Sequence, residues 1–320
     1  SHVSILVPFS LGTLSAIILY PLVSDGSVSF TAFALFLGAA MSITAFPVLA
    51  RIITENNLQR SRLGTLALTC AAVDDVTAWC VLAVAIAVAK EGDFVKAIPT
   101  IIAAIVYIGL MVTAGRWCLR YLAKLFHRTG RLTQFLLACI YMGVVISALI
   151  TEVIGIHLIF GAFLVGAVMP KDHDLVREIA QKTEDFVLIF LLPVFFAYSG
   201  IRTQIGLLNR PELWLLCLLV LVVAIAGKYI GTYVAARVSG IDKREASALG
   251  WLMNTRGLTE LIVLNIGLSL GVISPLLFTM LVIMALVTTF MTSTLLEWTY
   301  PKRLIKLDLV EPEPPQAGDI

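Results

Sequence analysis

Apolar runs long enough to cross a bilayer recur along nearly the whole chain, and this limits the fold more than any other feature. A hydrocarbon core about 30 Å thick takes about 20 mostly apolar residues as a helix. Inside it every backbone N–H and C=O needs a protein partner, so only helices and closed barrels span it, and runs of this length are helical. Ten segments qualify or nearly qualify, near residues 3–23, 28–53, 63–89, 97–119, 132–152, 155–170, 185–201, 212–236, 245–268 and 273–298. The sixth and seventh are short for a crossing and are expected to tilt or to pack inside the bundle. Charged residues make up 14% of the chain, against about 25% in soluble domains. The predicted fold class is an all-α polytopic membrane protein, with membrane lipid as its surroundings.

Other features narrow the reading by what they fail to support. A net charge of +2 gives no reason to expect nucleic acid as a partner. The five cysteines are scattered through apolar runs without paired spacing, as small packing residues are. No metalloprotease HExxH, nucleophile elbow or phosphate loop is present, so neither an enzyme nor a cofactor is expected. The first run follows Ser-His-Val directly, with no charged flank or cleavage site, and reads as a span rather than a signal peptide. The absence of an initiating Met leads us to expect further spans before Ser1. The acidic, Pro-rich stretch 311–320 is expected to be disordered.

Loop charges orient the spans. One set of alternate loops holds Arg51, Arg60 and Arg62, then Arg116, Arg120, Lys124, Arg128 and Arg131, then Lys171, Arg177 and Lys182, then Arg237, Lys243 and Arg244. Lys302, Arg303 and Lys306 extend that set beyond the tenth span. The other face has only Lys90, Lys96, Arg202 and Arg210. Basic loops stay in the cytoplasm, so the first face and the C-terminus are expected there.

Charges inside spans are costly, about 2.5–3.5 kcal/mol each at a helix centre, and mark function by default. They are Asp74, Asp75, Lys228, Arg256 and Glu260. Adjacent residues on a helix point about 100° apart, so Asp74 and Asp75 face different neighbours yet feel each other's charge. Such a pair resists full ionisation, which suits a carboxylate that trades a proton for a hard cation. The plainer reading is a pair that only holds helices together. Lys228 lies roughly 12 Å, and Asp74 roughly 16 Å, from the same face at 1.5 Å per residue. An Asp–Lys pair is therefore expected, the alternative being a lysine that snorkels to the interface. Gly227 and Gly231 beside it would let another helix approach closely. Arg256 and Glu260 stand at i, i+4 and can pair on one face, as a structural tie or as part of a transport path.

Two spans carry breaks. The second has Pro47 near its middle, with the hydroxyls of Ser42 and Thr44 close by to satisfy freed backbone groups. The ninth has Asn254, Thr255, Arg256 and Gly257 at its middle. Interrupted segments in corresponding positions of two halves point to a secondary-transporter binding site. Unrelated kinks are the competing account.

These residues carry a resemblance. The stretches Ser42-Ile-Thr-Ala-Phe-Pro47-Val-Leu-Ala-Arg51, Ala71-Ala-Val-Asp74-Asp75-Val-Thr-Ala-Trp79, Leu192-Pro193-Val-Phe-Phe-Ala-Tyr-Ser-Gly200 and Asn254-Thr-Arg256-Gly257-Leu-Thr-Glu260-Leu occur in this order. Over residues 1–300 the chain resembles the sodium/hydrogen exchanger family of the cation:proton antiporter superfamily. It is similar to the branch that holds bacterial Na+/H+ antiporters, plant cation/H+ exchangers and glutathione-gated K+ efflux antiporters. The resemblance implies a thirteen-helix antiporter fold with inverted repeats and two crossing broken helices, of which ten helices are expected here. It divides the chain into a partial first repeat (1–90), a linker helix (97–119), a second repeat (132–298) and a cytoplasmic tail (301–320). It implies exchange of Na+ or K+ for H+ by a homodimer, with Asp75 as the ion- and proton-carrying carboxylate. Asp74 would pair with Lys228 in the cation-free state, with Ser42, Thr44, Pro47, Asn254, Thr255 and Gly257 at the crossing and Arg256 and Glu260 as a supporting ion pair. An Asp-Asp pair resembles the electrogenic members. No nucleotide-binding domain is expected after the last helix, unlike the glutathione-gated type. A cation channel or a non-transporting membrane sensor on the same scaffold is the alternative.

Overall fold

The computed structural model describes residues 2–301, and all regular structure among them is helical. Residues 302–320, with Lys302, Arg303, Lys306 and the acidic stretch expected to be disordered, lie outside the described residues, as does Ser1. The helices run α1 (His2–Val23), α2 (Phe30–Ser42), α3 (Phe46–Glu55), α4 (Arg62–Glu91), α5 (Phe94–Leu110), α6 (Arg116–Thr129), α7 (Gln134–Ile154), α8 (Leu158–Val168), α9 (His173–Phe186), α10 (Leu192–Arg202), α11 (Pro211–Val238), α12 (Lys243–Met253), α13 (Leu258–Ser269) and α14 (Pro275–Thr299). Wide π-turns at Met111–Gly115 and Val187–Leu191 join α5 to α6 and α9 to α10. Local chemistry sets the ends. Ser29, Thr133, Asp172 and Ser274 accept N–H groups of the first turns of α2, α7, α9 and α14. Gly130 and Gly155 end α6 and α7 at φ +66° and +104°, a left-handed region that favours glycine.

Among the described residues, eight helical stretches are long and apolar enough to cross a membrane, and α8 and α13 are shorter apolar helices. Eight of the ten predicted runs correspond to these stretches; the sixth forms only α8, and the ninth is divided between α12 and α13. Two boundaries differ for one reason: hydropathy stops where charge begins, whereas a helix does not. The fourth run, predicted to end at 119, continues as α6, which buries Leu119, Ala123 and Phe126 while Arg116, Arg120, Lys124 and Arg128 recur four apart. The seventh run is preceded by the polar helix α9. The sixth run forms α8, only 11 residues long.

The chain forms two compact units. The first comprises α1–α3, α4 as far as Cys80, and α11–α14; the second runs from Val81 to Thr203. In the second, Gly161 lets α8 approach α7 so closely that a Cβ there would stand 2.2 Å from the Ser147 carbonyl oxygen. Tyr107 donates to Ser147 (2.7 Å), which donates to the Gly161 carbonyl (2.7 Å). Glu152 pairs with Lys90 (3.4 Å) and accepts the Leu158 N–H (3.1 Å).

In the first unit, α1 packs against both α2 and α11 through glycine. A Cβ on Gly38 of α2 would meet Thr13 Oγ1 at 2.5 Å and the Phe9 carbonyl oxygen at 2.9 Å. A Cβ on Gly227 of α11 would meet Pro8 Cα at 2.8 Å, and one on Gly231 would meet Val7 Cβ at 2.9 Å. Close backbone approach through small residues is how membrane helices associate when burial brings no hydrophobic gain. Gly38→Leu is expected to lower stability by about 1–3 kcal/mol through overpacking. A thermal-shift assay in detergent measures this, and an unchanged transition would contradict the close α1–α2 contact.

Candidate functional site

The two breaks meet. After α2 ends at Ser42, Ile43 and Ala45 take extended conformations before α3 begins. The sequence reading placed the interruption at Pro47, but the structure places it three residues earlier. Pro47 stands in the first turn of α3, where its missing N–H has no helical partner to lose. Ser42 Oγ donates back to the Ala39 carbonyl (2.8 Å) rather than across the gap. The other break lies where the sequence puts it: α12 ends at Met253 and α13 starts at Leu258. The Ala45 N–H donates to the Thr255 carbonyl (3.0 Å), and Thr44 Oγ1 donates to the Met253 carbonyl (3.2 Å). Gly257 is needed for this approach, because a Cβ there would stand 2.6 Å from Val48 Cγ2.

Asp74 and Lys228 lie beside the crossing, both fully buried. Ala67, Ala71, Asp74 and Ala78 form the buried face of α4, and their small side chains let neighbouring helices come near. Lys228 Nζ sits 3.5 Å from Asp74 Oδ2 and donates to Thr44 Oγ1 at 2.6 Å. Thr44 Oγ1 is itself 3.5 Å from Asp74 Oδ2. Lys228 therefore does not snorkel. Ser4 of α1 donates to Asp74, 3.0 Å from Oδ1 and 2.8 Å from Oδ2. Ser4 is not among the residues expected from the sequence. Its signal was indirect: Gly227 and Gly231 announced a close neighbour for Lys228, and that neighbour is α1.

Asp75 is placed differently. It is half-buried, its buried Oδ1 has no hydrogen-bond partner, and it makes no ion pair among the described residues. One carboxylate of the pair is thus held by a lysine and a serine, and the other is left open.

Arg256 and Glu260 form a second buried pair at 2.7 Å. Arg256 also donates to the carbonyls of Ala40 (3.0 Å) and Met41 (2.7 Å), in the last turn of α2. These carbonyls have no partner within their own helix and carry the negative end of its dipole. Glu260 sits in the first turn of α13, at the positive end of that helix. The pair thus ties one half-helix to the other. Thr289 of α14, also missed from the sequence, accepts the Arg256 N–H (3.1 Å) and donates to its carbonyl (2.6 Å). Asn254 is fully buried with neither side-chain atom paired.

Interrupted helices that cross beside buried carboxylates, within a bundle of membrane-spanning helices, define a secondary transporter. The chain belongs to the sodium/hydrogen exchanger family: the family model described as "Sodium/hydrogen exchanger, transmembrane" matches residues 1–300. Among its relatives, the Na(+)/H(+) antiporter NhaS4 of Synechocystis sp. is 57% identical over 94% of this chain and 74% of its own length. Cation/H(+) antiporter 17 of Arabidopsis thaliana is 38% identical over 95% of this chain and 37% of its own length. The K(+)/H(+) antiporter 1 of Saccharomyces cerevisiae is 34% identical over 93% of this chain. The chain thus spans about three quarters of the first relative and little more than a third of the plant and yeast proteins, 37% and 35%.

Proposed function

We propose that this chain is the transport core of an antiporter that exchanges a monovalent cation, Na+ or K+, for protons, with Asp75 as the exchanging carboxylate. One observation carries the reading. Ser4, Thr44 and Lys228 occupy Asp74, whereas Asp75, the next residue of α4, keeps a buried oxygen with no partner. A carboxylate already paired to a lysine has little left to offer a cation. An open one in a low-dielectric site must take up either a proton or a cation, because bare charge there is costly. Competition for one oxygen cluster couples the two fluxes. When a cation is bound, its charge replaces that of the Lys228 ammonium at Asp74; when it leaves, Lys228 restores balance. The carbonyls at the C-terminal ends of α2 and α12 bring partial negative charge to the same crossing. No ATP or cofactor enters this cycle.

The remaining features fit this scheme. The two interrupted segments, α2/α3 and α12/α13, would occupy matching places in inverted repeats covering 1–90 and 132–298, joined by a linker helix over 97–119. The basic loop set would face the cytoplasm, with the C-terminus on the same side. The working form would be a homodimer in lipid that exchanges cytoplasmic Na+ or K+ for external H+ and serves pH homeostasis.

The test is flux in proteoliposomes. Full-length protein is reconstituted, a pH gradient is imposed, and its dissipation is followed on addition of Na+ or K+. The expected result is a saturable, cation-dependent rate with the proton flux strictly coupled. A conductive flux that does not saturate would favour a channel, and no flux for any monovalent cation would favour a non-transporting sensor.

A further inference from the structure

A cavity of about 160 Å³ lies in the first unit, between α1, α4, α11 and α12. Ser239, exposed at the end of α11, lines it at one extreme. Ser4, Thr232 and Met253, all buried, line it further in. Ser4 donates to Asp74, and the Met253 carbonyl accepts from Thr44. The inner lining of the cavity is therefore in direct hydrogen-bond contact with the residues of the crossing. A water needs about 10–15 Å³ of such space, so the cavity is roomy enough for water.

Thr232 is the residue without an explanation. It is 5% exposed, and its Oγ1 has no hydrogen-bond partner. Most helical threonines in this chain settle their hydroxyl by donating to the carbonyl four residues back. Thr65, Thr69, Thr77, Thr279, Thr288 and Thr292 all do so at 2.8–3.0 Å. Thr232 instead leaves the Lys228 carbonyl and lines the cavity. A buried hydroxyl without a partner costs about 1–3 kcal/mol, so its retention in this position calls for something polar in the space it faces. It stands one turn from Lys228 on the same helix face, about 5–6 Å between Cβ atoms.

We infer that Thr232 and Ser4 form a hydroxyl subsite for a partly dehydrated monovalent cation, one step outside the Asp74–Lys228 pair. This rests on the antiporter reading above. Hydroxyl oxygens are hard donors suited to alkali cations, and a neutral subsite holds a cation without trapping it. The cation exchanges part of its water for Thr232 Oγ1 in the cavity. Ser4, through its hydroxyl, joins that position to the carboxylates. The subsite sets how readily a cation reaches the crossing, and so the apparent affinity, while leaving the maximal turnover to the carboxylates.

The experiment compares wild type, Thr232→Val and Thr232→Ser in full-length protein reconstituted in proteoliposomes. Exchange rates are measured against Na+ and K+ concentration at a fixed pH gradient. Valine keeps the shape and removes the oxygen; serine keeps the oxygen. Thr232→Val is expected to raise the apparent KM for the cation about tenfold, the effect of losing one polar ligand in a site with little water. Its maximal rate should stay within about twofold of wild type, and Thr232→Ser should remain close to wild type in both. A wild-type KM in Thr232→Val overturns the subsite. So does equal damage in both variants, which indicates packing, and so does a fall in maximal rate at unchanged KM, which indicates a proton relay. If wild type shows no exchange, the antiporter reading fails, and equilibrium binding of radiolabelled Na+ and Rb+ to purified protein still decides the subsite. Weaker binding by Thr232→Val supports it, and equal binding removes it.

Discussion

Asp75→Asn is expected to abolish coupled exchange while leaving the protein folded. Asparagine has almost the same volume, but its amide neither ionises nor binds a proton at working pH. Asp75 makes no ion pair among the described residues, so the change strands no buried partner. It also removes an intramembrane charge, which is costly wherever it is kept. Folding should therefore be unharmed or slightly improved. Removing the side chain that carries a proton typically lowers rates by about 10²-fold or more, and a loss of at least that size is expected in pH-gradient-driven flux for Na+ and K+ alike. The check is paired: flux in proteoliposomes and thermal stability in detergent, on the same preparation. Undiminished flux removes Asp75 from the role assigned to it. Asp74 offers no comparable test, because neutralising it leaves Lys228 buried without a counter-charge, 3.5 Å from the site of the loss.

Much of this arrangement is legible in the sequence. The reason is the solvent: in hydrocarbon, a polar residue inside an apolar run stands out. Asp74, Asp75, Lys228, Arg256 and Glu260 were visible as charges against a background that penalises charge. The pairing of Asp74 with Lys228 followed from matching depth, since a helix rises a fixed distance per residue. Both interruptions were visible as polar clusters within spans.

What escaped were features that cost little locally and acquire meaning only through contact. Ser4 is one hydroxyl in an apolar helix, and nothing near it in sequence shows that it meets Asp74, 70 positions on. Thr289 is likewise one of several threonines in α14, and only packing brings it to Arg256. Pro47 misled in a specific way. Proline in mid-span is a breaker by default, but here it opens the second half-helix, and the break lies before it. The extents of α6 and α9 were missed because hydropathy measures where the lipid ends and not where the helix does. Helix geometry alone does not separate the open Asp75 from the occupied Asp74, because adjacent residues on one helix differ only by what lies across from each; the family resemblance is what sets the two apart in the sequence.

Arg256→Met is expected to give the largest loss of stability of any single change at the site, about 3–5 kcal/mol, the cost of leaving one partner of a buried ion pair alone. Three groups lose their donor at once: Glu260 Oε2, and the carbonyls of Ala40 and Met41 at the open end of α2. Glu260→Leu should cost less, because Arg256 keeps both carbonyls. The double variant Arg256→Met/Glu260→Leu separates the parts. It removes the stranded carboxylate but not the stranded carbonyls, so it should be more stable than Arg256→Met alone, with a coupling of about 1–3 kcal/mol between neighbours in one network. Denaturation in mixed detergent micelles, followed by intrinsic fluorescence, reads all four proteins. Strict additivity would mean that the 2.7 Å pair contributes nothing as a pair. Flux then divides the two roles the sequence left open. A double variant that is stable and still exchanges cations assigns Arg256 and Glu260 to holding the half-helices together. One that is stable and inert places their charges in the field that the transported cation feels, and Asp75 would then act with them rather than alone.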